Sequence, residues 1–150
     1  MSIDEGPWLH LLDLEIESYR HSLDMKQGLL CREFVVKDRE GRRTRIESER
    51  FASMADAHQA ALSYTITPLD SSGVVKLRSG LDGTVINYGV ARYRNLASRH
   101  LQPVIEGEKN GELYLHVKTN QSKVKIFMNA RNELRRGDAP LDCQVKYEED

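Results

Sequence analysis

The side chains best suited to binding chemistry stand close together in one stretch: Arg92, Tyr93, Arg94, Arg99 and His100. No Asp or Glu occurs between Gly83 and Pro103, so these cations have no acidic neighbour in sequence. Guanidinium forks match carboxylates and phosphates in geometry, and the Tyr93 ring can stack on a sugar or a base. The stretch is therefore the candidate contact with a ligand or with another protein surface. The competing reading is a solvated cationic loop.

Catalytic groups are harder to assemble. Cleaving a glycosidic bond uses two carboxyl groups roughly 5–9 Å apart. Asp24, Asp56, Asp70 and Asp82 are scattered, and nothing in their spacing pairs them. Asp70, before Ser-Ser-Gly, and Asp82, before Gly83, read as turn formers whose carboxylates bond the nearby backbone. His10, His21, His58, His100 and His116 are far apart, with no His-x-x-x-His or Cys-x-x-Cys spacing, so no metal site is expected. His116 falls on the polar face of a strand pattern and reads as a surface residue. Cys31 and Cys143 fall in strand patterns, as small apolar side chains rather than nucleophiles. The glycines occur singly, without a phosphate-cradling loop. The expectation is a chain with no catalytic residue, metal or cofactor of its own.

The elements that must position these side chains are strands. Apolar and polar residues alternate with period two in Leu12 to Glu17, Gln59 to Thr67, Glu112 to Lys118, Lys123 to Ala130 and Leu141 to Tyr147. Val74 to Ser79 reads as a further strand after the Asp70-Ser71-Ser72-Gly73 turn. Leu29 to Asp38 is apolar on both faces and reads as a central strand. It turns at Arg39-Glu40-Gly41 and returns as Arg42 to Phe51; the five arginines from Arg39 to Arg50 interleave with Glu40, Glu47 and Glu49 in a cross-strand ion-pairing pattern. Leu62 and Ile126 lie on apolar faces and are candidate core residues. Ser53 to Ala61 reads as a loop or a single helical turn, and Asn87 to Pro103 as a long ordered connection. The fold class is all-β, an antiparallel β-sandwich, with residues 1–150 forming a single domain or domain fragment.

Composition bounds the function. A chain of 150 residues with net charge −1 offers no global electrostatic case for nucleic acid or an anionic membrane. No apolar run approaches the ~18 residues of a membrane span. The start lacks a basic, then apolar, secretory signal, and two cysteines make no disulfide scaffold. A cytoplasmic address is expected.

One stretch carries a family likeness: Ser53-Met54-Ala55-Asp56-Ala57-His58, then Ala60-Ala61-Leu62-Ser63-Tyr64-Thr65-Ile66-Thr67-Pro68-Leu69-Asp70-Ser71-Ser72-Gly73. With Arg78-Ser79-Gly80-Leu81-Asp82-Gly83, Asn87, Gly89 to Arg94 and Arg99-His100-Leu101, it resembles the N-terminal domain of glycoside hydrolase family 65. Tyr19-Arg20, Leu23-Asp24-Met25, Gly28-Leu29-Leu30 and Gly41 to Arg45 add to the likeness. It covers roughly Tyr19 to Ala130.

The resemblance implies a β-sandwich followed by a helical linker, an (α/α)6 catalytic barrel and a small β domain. It implies phosphorolysis or hydrolysis of α-glucosidic disaccharides such as maltose, trehalose or kojibiose. Inorganic phosphate would be the phosphorylases' co-substrate, and a barrel glutamate the general acid. No catalytic residue carries over to this chain. Its expected partners are a catalytic barrel and, because Pro7-Trp8-Leu9 is followed too soon by Leu14 to Glu17, a second copy paired through exposed strand edges. The alternative is a stand-alone carbohydrate-binding or protein-interaction module using Arg92 to His100.

Overall fold

Aspartates and glycines decide where the first half of the chain reverses. At Asp24 the carboxylate accepts the amides of Lys26 and Gln27 at 2.9 and 3.0 Å, and Gly28 takes φ +70. At Asp38 it accepts the amides of Glu40 and Arg42, both at 2.9 Å, and Gly41 takes φ +83. These reversals satisfy turn amides locally and supply the left-handed backbone that a side chain disfavours.

The computed structural model describes residues 1–4, 6–10, 14–86, 98–142 and 146–148. Its strands are β1 (Ser2–Ile3), β2 (Glu15–Asp24), β3 (Leu29–Lys37), β4 (Arg43–Ala52), β5 (Ala60–Pro68), β6 (Val75–Lys76), β7 (Leu101–Lys109), β8 (Glu112–Thr119), β9 (Lys125–Arg131), β10 (Arg135–Arg136) and β11 (Ala139–Pro140). All pairings among them are antiparallel, and no helix occurs among the described residues, so the all-β antiparallel class holds. The chain divides into two compact units, Met1–Leu77 and Arg78–Asp150.

In the first unit β2-β3-β4-β5 form a four-stranded meander, and β3 is central, as its two apolar faces imply. The register separates two chemistries. One face carries Ile16, Tyr19, Leu23, Leu30, Phe34, Val36, Ile46, Leu62, Tyr64 and Ile66; the other carries Glu33, Arg45, Glu47 and Glu49. On the polar face the expected cross-strand pairing is present: Arg45 lies 3.7 Å from Glu33 and Lys37 3.9 Å from Glu15. On the apolar face Phe34, Val36 and Ile46 are buried, with Met1 and Leu14 packed against them.

The start of the chain is tied to the same unit by a two-stranded ribbon of β1 and β6. Asp4, at φ +53, gives its amide to the Val74 carbonyl at 2.7 Å and accepts the Val74 amide at 3.0 Å. A Cβ on Gly73 would lie 2.8 Å from the Asp4 carboxylate, so a side chain there would have to displace it. Arg42 reaches Asp4 at 3.3 Å and Asp38 at 2.7 Å. Burial pushes the Asp38 carboxyl up, but the Arg42 side-chain hydrogen bond, the two turn amides and the guanidinium charge outweigh it and hold its pKa below the ordinary carboxylate value.

In the second unit β7-β8-β9 form a three-stranded meander. Asn110 and Gly111 both have positive φ, the conformation of a two-residue hairpin whose twist matches its strands. Leu115 and Val117 of β8 are buried. A Cβ on Gly83 would lie 2.9 Å from Val117, so the Asp82-Gly83 backbone lies directly over β8. β10 and β11 make a short separate hairpin.

Several expectations are corrected. Leu101 to Pro103 belong to β7 rather than to a connection; a bulge between Pro103 and Ile105 breaks the alternation that would have revealed the strand. Val74 to Ser79 supplies only β6. Residues 141, 142 and 146–148 are not strand, and Cys143 to Val145 lie outside the described residues. Of the two readings of Ser53 to Ala61, the loop holds over Ser53 to Gln59, closed by the Ser53 amide on the Gln59 carbonyl at 2.9 Å. Leu62 and Ile126 share faces with true core residues but are 65% and 38% exposed, because nothing described covers those positions.

Two predictions follow from this packing. Phe34→Ala should cost about 3–5 kcal/mol, whereas Leu62→Ala should move stability by no more than about 0.5 kcal/mol; denaturant midpoints check both. Asp38→Asn should destabilise the chain, and the sign of its pH dependence follows from the depressed folded pKa. The stabilisation by Asp38 is fully present above the unfolded carboxylate value of ~3.9. It is lost as pH falls through the folded value, so the gap between wild type and Asp38→Asn should be flat at neutral pH and close in acid. A gap that persists unchanged at pH 2 to 3 would show that the carboxylate charge contributes nothing.

Candidate functional site

The cationic stretch singled out from sequence is only partly within view. Arg92, Tyr93 and Arg94 lie outside the described residues. Arg99 and His100 lead into β7, and Arg99 forms an isolated bridge to Ile86. Their carbonyls are held by one residue of the β8–β9 turn: the Asn120 side chain donates to the Arg99 carbonyl and the Asn120 amide to the His100 carbonyl, both at 2.9 Å. The two side chains themselves are exposed. The backbone is therefore fixed while the cationic groups stay available to a contact.

The carboxylates are committed elsewhere. Asp24 and Asp38 bond the turn amides described above. Asp56 accepts the His58 amide at 2.9 Å. Asp82 accepts both the amide and the hydroxyl of Thr84 at 2.7 Å, and those bonds lower its pKa, opposite to the shift a general acid needs. Asp82 is thus the turn former its sequence implies. Asp70 is not: it clamps the end of β4, accepting the Arg43 amide at 2.8 Å and its Nε at 3.0 Å. No three His, Cys, Asp or Glu side chains converge to hold a metal among the described residues.

The other residues of the Arg78 to Gly83 stretch also have structural partners. Arg78 lies 3.4 Å from Glu148, and the Ser79 hydroxyl donates to Asn132 at 2.9 Å. The Lys146 hydrogen bond and charge, aided by Arg78, hold the Glu148 carboxyl below its ordinary range.

His116 is the correction that matters for function. It is on the polar face of β8 in phase, yet only 8% exposed. Its ring stacks on Phe127 with centroids 4.0 Å apart and planes 15° from parallel. Its Nε2 is buried with no hydrogen-bond partner. Alternation alone did not reveal this; the break in the polar phase at Phe127, an aromatic residue among Lys125 and Asn129, was the available signal.

On the four-stranded sheet, the apolar face holds an open groove. Beyond Phe34 and Ile46 it stays bare at Tyr19, Leu23, Leu62 and Tyr64, and a groove of about 480 Å³ opens beside Leu30, Arg50 and Leu62. Arg32 and Arg50 sit on this face, and no Asp or Glu shares it. Arg32 lies over the Phe34 ring at 5.6 Å, and neither arginine has a carboxylate within ion-pair distance among the described residues.

A family profile described as "Glycosyl hydrolase family 65, N-terminal domain" matches residues 1–150. The chain belongs to this family. An uncharacterized glycosyl hydrolase of Mycobacterium tuberculosis is 36% identical over 148 residues, which is 99% of this chain and 11% of the relative. A kojibiose phosphorylase of Caldanaerobacter subterraneus subsp. tengcongensis is 37% identical over 129 residues, 84% of this chain and 16% of the relative. An alpha,alpha-trehalose phosphorylase of Thermoanaerobacter brockii is 26% identical over 150 residues, 97% of this chain and 19% of the relative. The family 65 chain thus spans between 11% and 19% of the length of these relatives. Among its described residues no helix is long and apolar enough to cross a membrane.

Two substitutions separate structural from contact roles. Arg99→Ala should leave the denaturant midpoint within about 0.5 kcal/mol of wild type, since its side chain is exposed and its bond to Asn120 is made by its carbonyl. His116→Leu should be neutral or stabilising, because it removes a buried nitrogen whose hydrogen bond is unmade. A loss of more than about 2 kcal/mol for His116→Leu, read by thermal or chemical denaturation, would mean that the imidazole is satisfied in solution.

Proposed function

We propose that this chain is a non-catalytic N-terminal portion of a family 65 enzyme that acts on α-glucosidic disaccharides by phosphorolysis or hydrolysis. The observation that carries the reading is the half-bare apolar face of the four-stranded sheet, with Arg32 and Arg50 on it and no carboxylate paired to either among the described residues. An exposed patch of this kind marks a surface made to be covered. Arginines without a paired carboxylate on it favour a cover that brings carboxylates. A catalytic barrel elsewhere in a longer polypeptide is the partner in this reading, which places residues 1–150 as one fragment of a larger sandwich. Arg99 and His100, with Arg92, Tyr93 and Arg94, are proposed as docking contacts to that partner. Inorganic phosphate would be handled by the barrel, and a cytoplasmic address fits the sparse cysteines.

Self-association through strand edges is part of the same reading. β2 and β5 each have a neighbour on one side only among the described strands, and an open edge is a template for pairing. Packing two copies through the apolar face is disfavoured, since it would bring Arg32 and Arg50 of each against like charges.

The direct test is an assay of phosphorolysis with maltose, trehalose and kojibiose. The isolated chain should show no turnover above background. Activity that disappears in Asp70→Asn or Asp82→Asn would overturn the non-catalytic reading. In a longer family member, the change matching Leu62→Ala should cost about 2–5 kcal/mol, as for a packed core position. Equal and small effects in both settings would show that the face is never covered.

A further inference from the structure

The opposite face of the second unit carries a different surface. The β8–β9 register sets His116 against Phe127 and Tyr114 against Asn129, and Ile105 of β7 lies on the other side of His116. Along β9, period two puts Lys125, Phe127 and Asn129 on that one face. Phe127 is 72% exposed. One side of its ring is occupied by the His116 stack, so the exposed area is the outer side and the rim. The Tyr114 ring lies across Gly107 of the neighbouring strand, where a Cβ would come 2.6 Å from its Cζ. Both aromatic side chains are therefore held in place from one side and open on the other.

We propose that this face binds a neutral hexopyranose ring, stacked on the outer side of Phe127. A pyranose in its chair form has an apolar face of axial C–H groups and a rim of hydroxyls. Phe127 offers a ring-sized apolar surface for the first, and Lys125 and Asn129, two residues away on either side, offer donors and an acceptor for the second. A protein partner is the competing occupant, since Ile105 and Tyr114 extend the exposed apolar surface across the neighbouring strands; along β9 itself, however, the ring is bounded by polar side chains on both sides. An anionic ligand would want cations converging on the ring from several sides, whereas Lys118 and its cross-strand partner Lys125 both stand at one end of it and Asn129 at the other. His116 is a positioning residue: its parallel contact fixes the Phe127 plane, and a rigid aromatic surface loses little rotamer freedom on binding. This role accounts for a buried imidazole nitrogen that no structural bond repays. The proposal does not depend on the catalytic reading above, because the ligand is held on residues of this chain alone.

The platform is flat, so the affinity should be weak, with a Kd on the order of 1 mM. The experiment is an amide and aromatic NMR titration of the 150-residue chain with maltose and with methyl α-glucoside, against glycerol as a control for viscosity. Shifts should be confined to the Tyr114–His116 and Lys125–Asn129 segments. Phe127→Ala should weaken binding at least tenfold while leaving the rest of the spectrum dispersed, and Phe127→Trp should keep or tighten it. His116→Leu should weaken binding several-fold at unchanged thermal stability, and His116→Phe, which restores a stacked ring, should recover it. Glycerol should produce none of these shifts. Binding that persists unchanged in Phe127→Ala, shifts spread over both units, or no shift at saturating sugar would each overturn the proposal. So would shifts that grow with protein concentration alone and vanish in Phe127→Ala, which would make the face a self-association patch.

Discussion

The register of β3 against its two neighbours is the constraint on which the first unit depends. β3 is bonded along both edges, so a slip of one residue would break two ladders and turn Phe34 and Val36 to the face that holds Glu33. With the register as it stands, the acidic side chains of the sheet gather on one side and the arginines Arg32 and Arg50 are left on the other, where no Asp or Glu shares their face. The bulge in β2 between Ile16 and Ser18 belongs to the same arrangement: it lets Tyr19 rejoin the apolar face after Glu17 has turned towards Arg43, 3.9 Å away. Fold and function meet here, because a face sorted so strictly by charge and then left half bare is shaped for something outside the strands that carry it.

The N-terminal ribbon shows how a few polar groups can stand in for a larger core. Ser2 is 1% exposed, and its hydroxyl donates to the Gly6 carbonyl at 2.7 Å, so it enters the interior with its bond made. Asp4 then links three segments far apart in sequence: its own strand, the Val74 backbone and the Arg42 guanidinium. Such a cluster gains from sharing. Arg42 serves both Asp4 and Asp38, and Asp38 also closes the β3–β4 turn, so hairpin and ribbon support each other.

Much of this was legible in sequence, and the misses have physical causes. The β3–β4 hairpin could be read because alternation, turn residues and charge pattern agreed. β7 was hidden because Pro103, the Val104-Ile105 pair and Gly107 interrupt period two at a bulge. Leu62 and Ile126 were placed on the correct faces, but periodicity says which side chains point together and not whether anything lies over them. His116 is the converse: its phase is polar, yet a central strand with Phe127 beside it shelters the ring. Residues 141, 142, 146 and 147 belong to a clean alternation yet are not strand, since a strand also needs a neighbour to share its ladder, and sequence patterning does not supply one. The cationic candidates were legible as a cluster, while the aromatic platform was not, since one phenylalanine out of phase is a faint sign until register sets a histidine against it.

The β1–β6 ribbon has a consequence for the order of folding. The meander strands close through short turns, whereas pairing Ser2 with Lys76 must bring together residues separated by most of the first unit. Loop-closure entropy rises with that separation, and it is repaid by two residue pairs of the ribbon, the Asp4 bonds to Val74 and Arg42 and the packing of Met1. Closing over so long a separation, the ribbon is expected to zip after the short-turn meander and to open before it. Because Met1 packs on the Phe34 cluster, each such opening also uncovers part of the core, which makes the first few residues the point where amide exchange and proteolysis enter this unit.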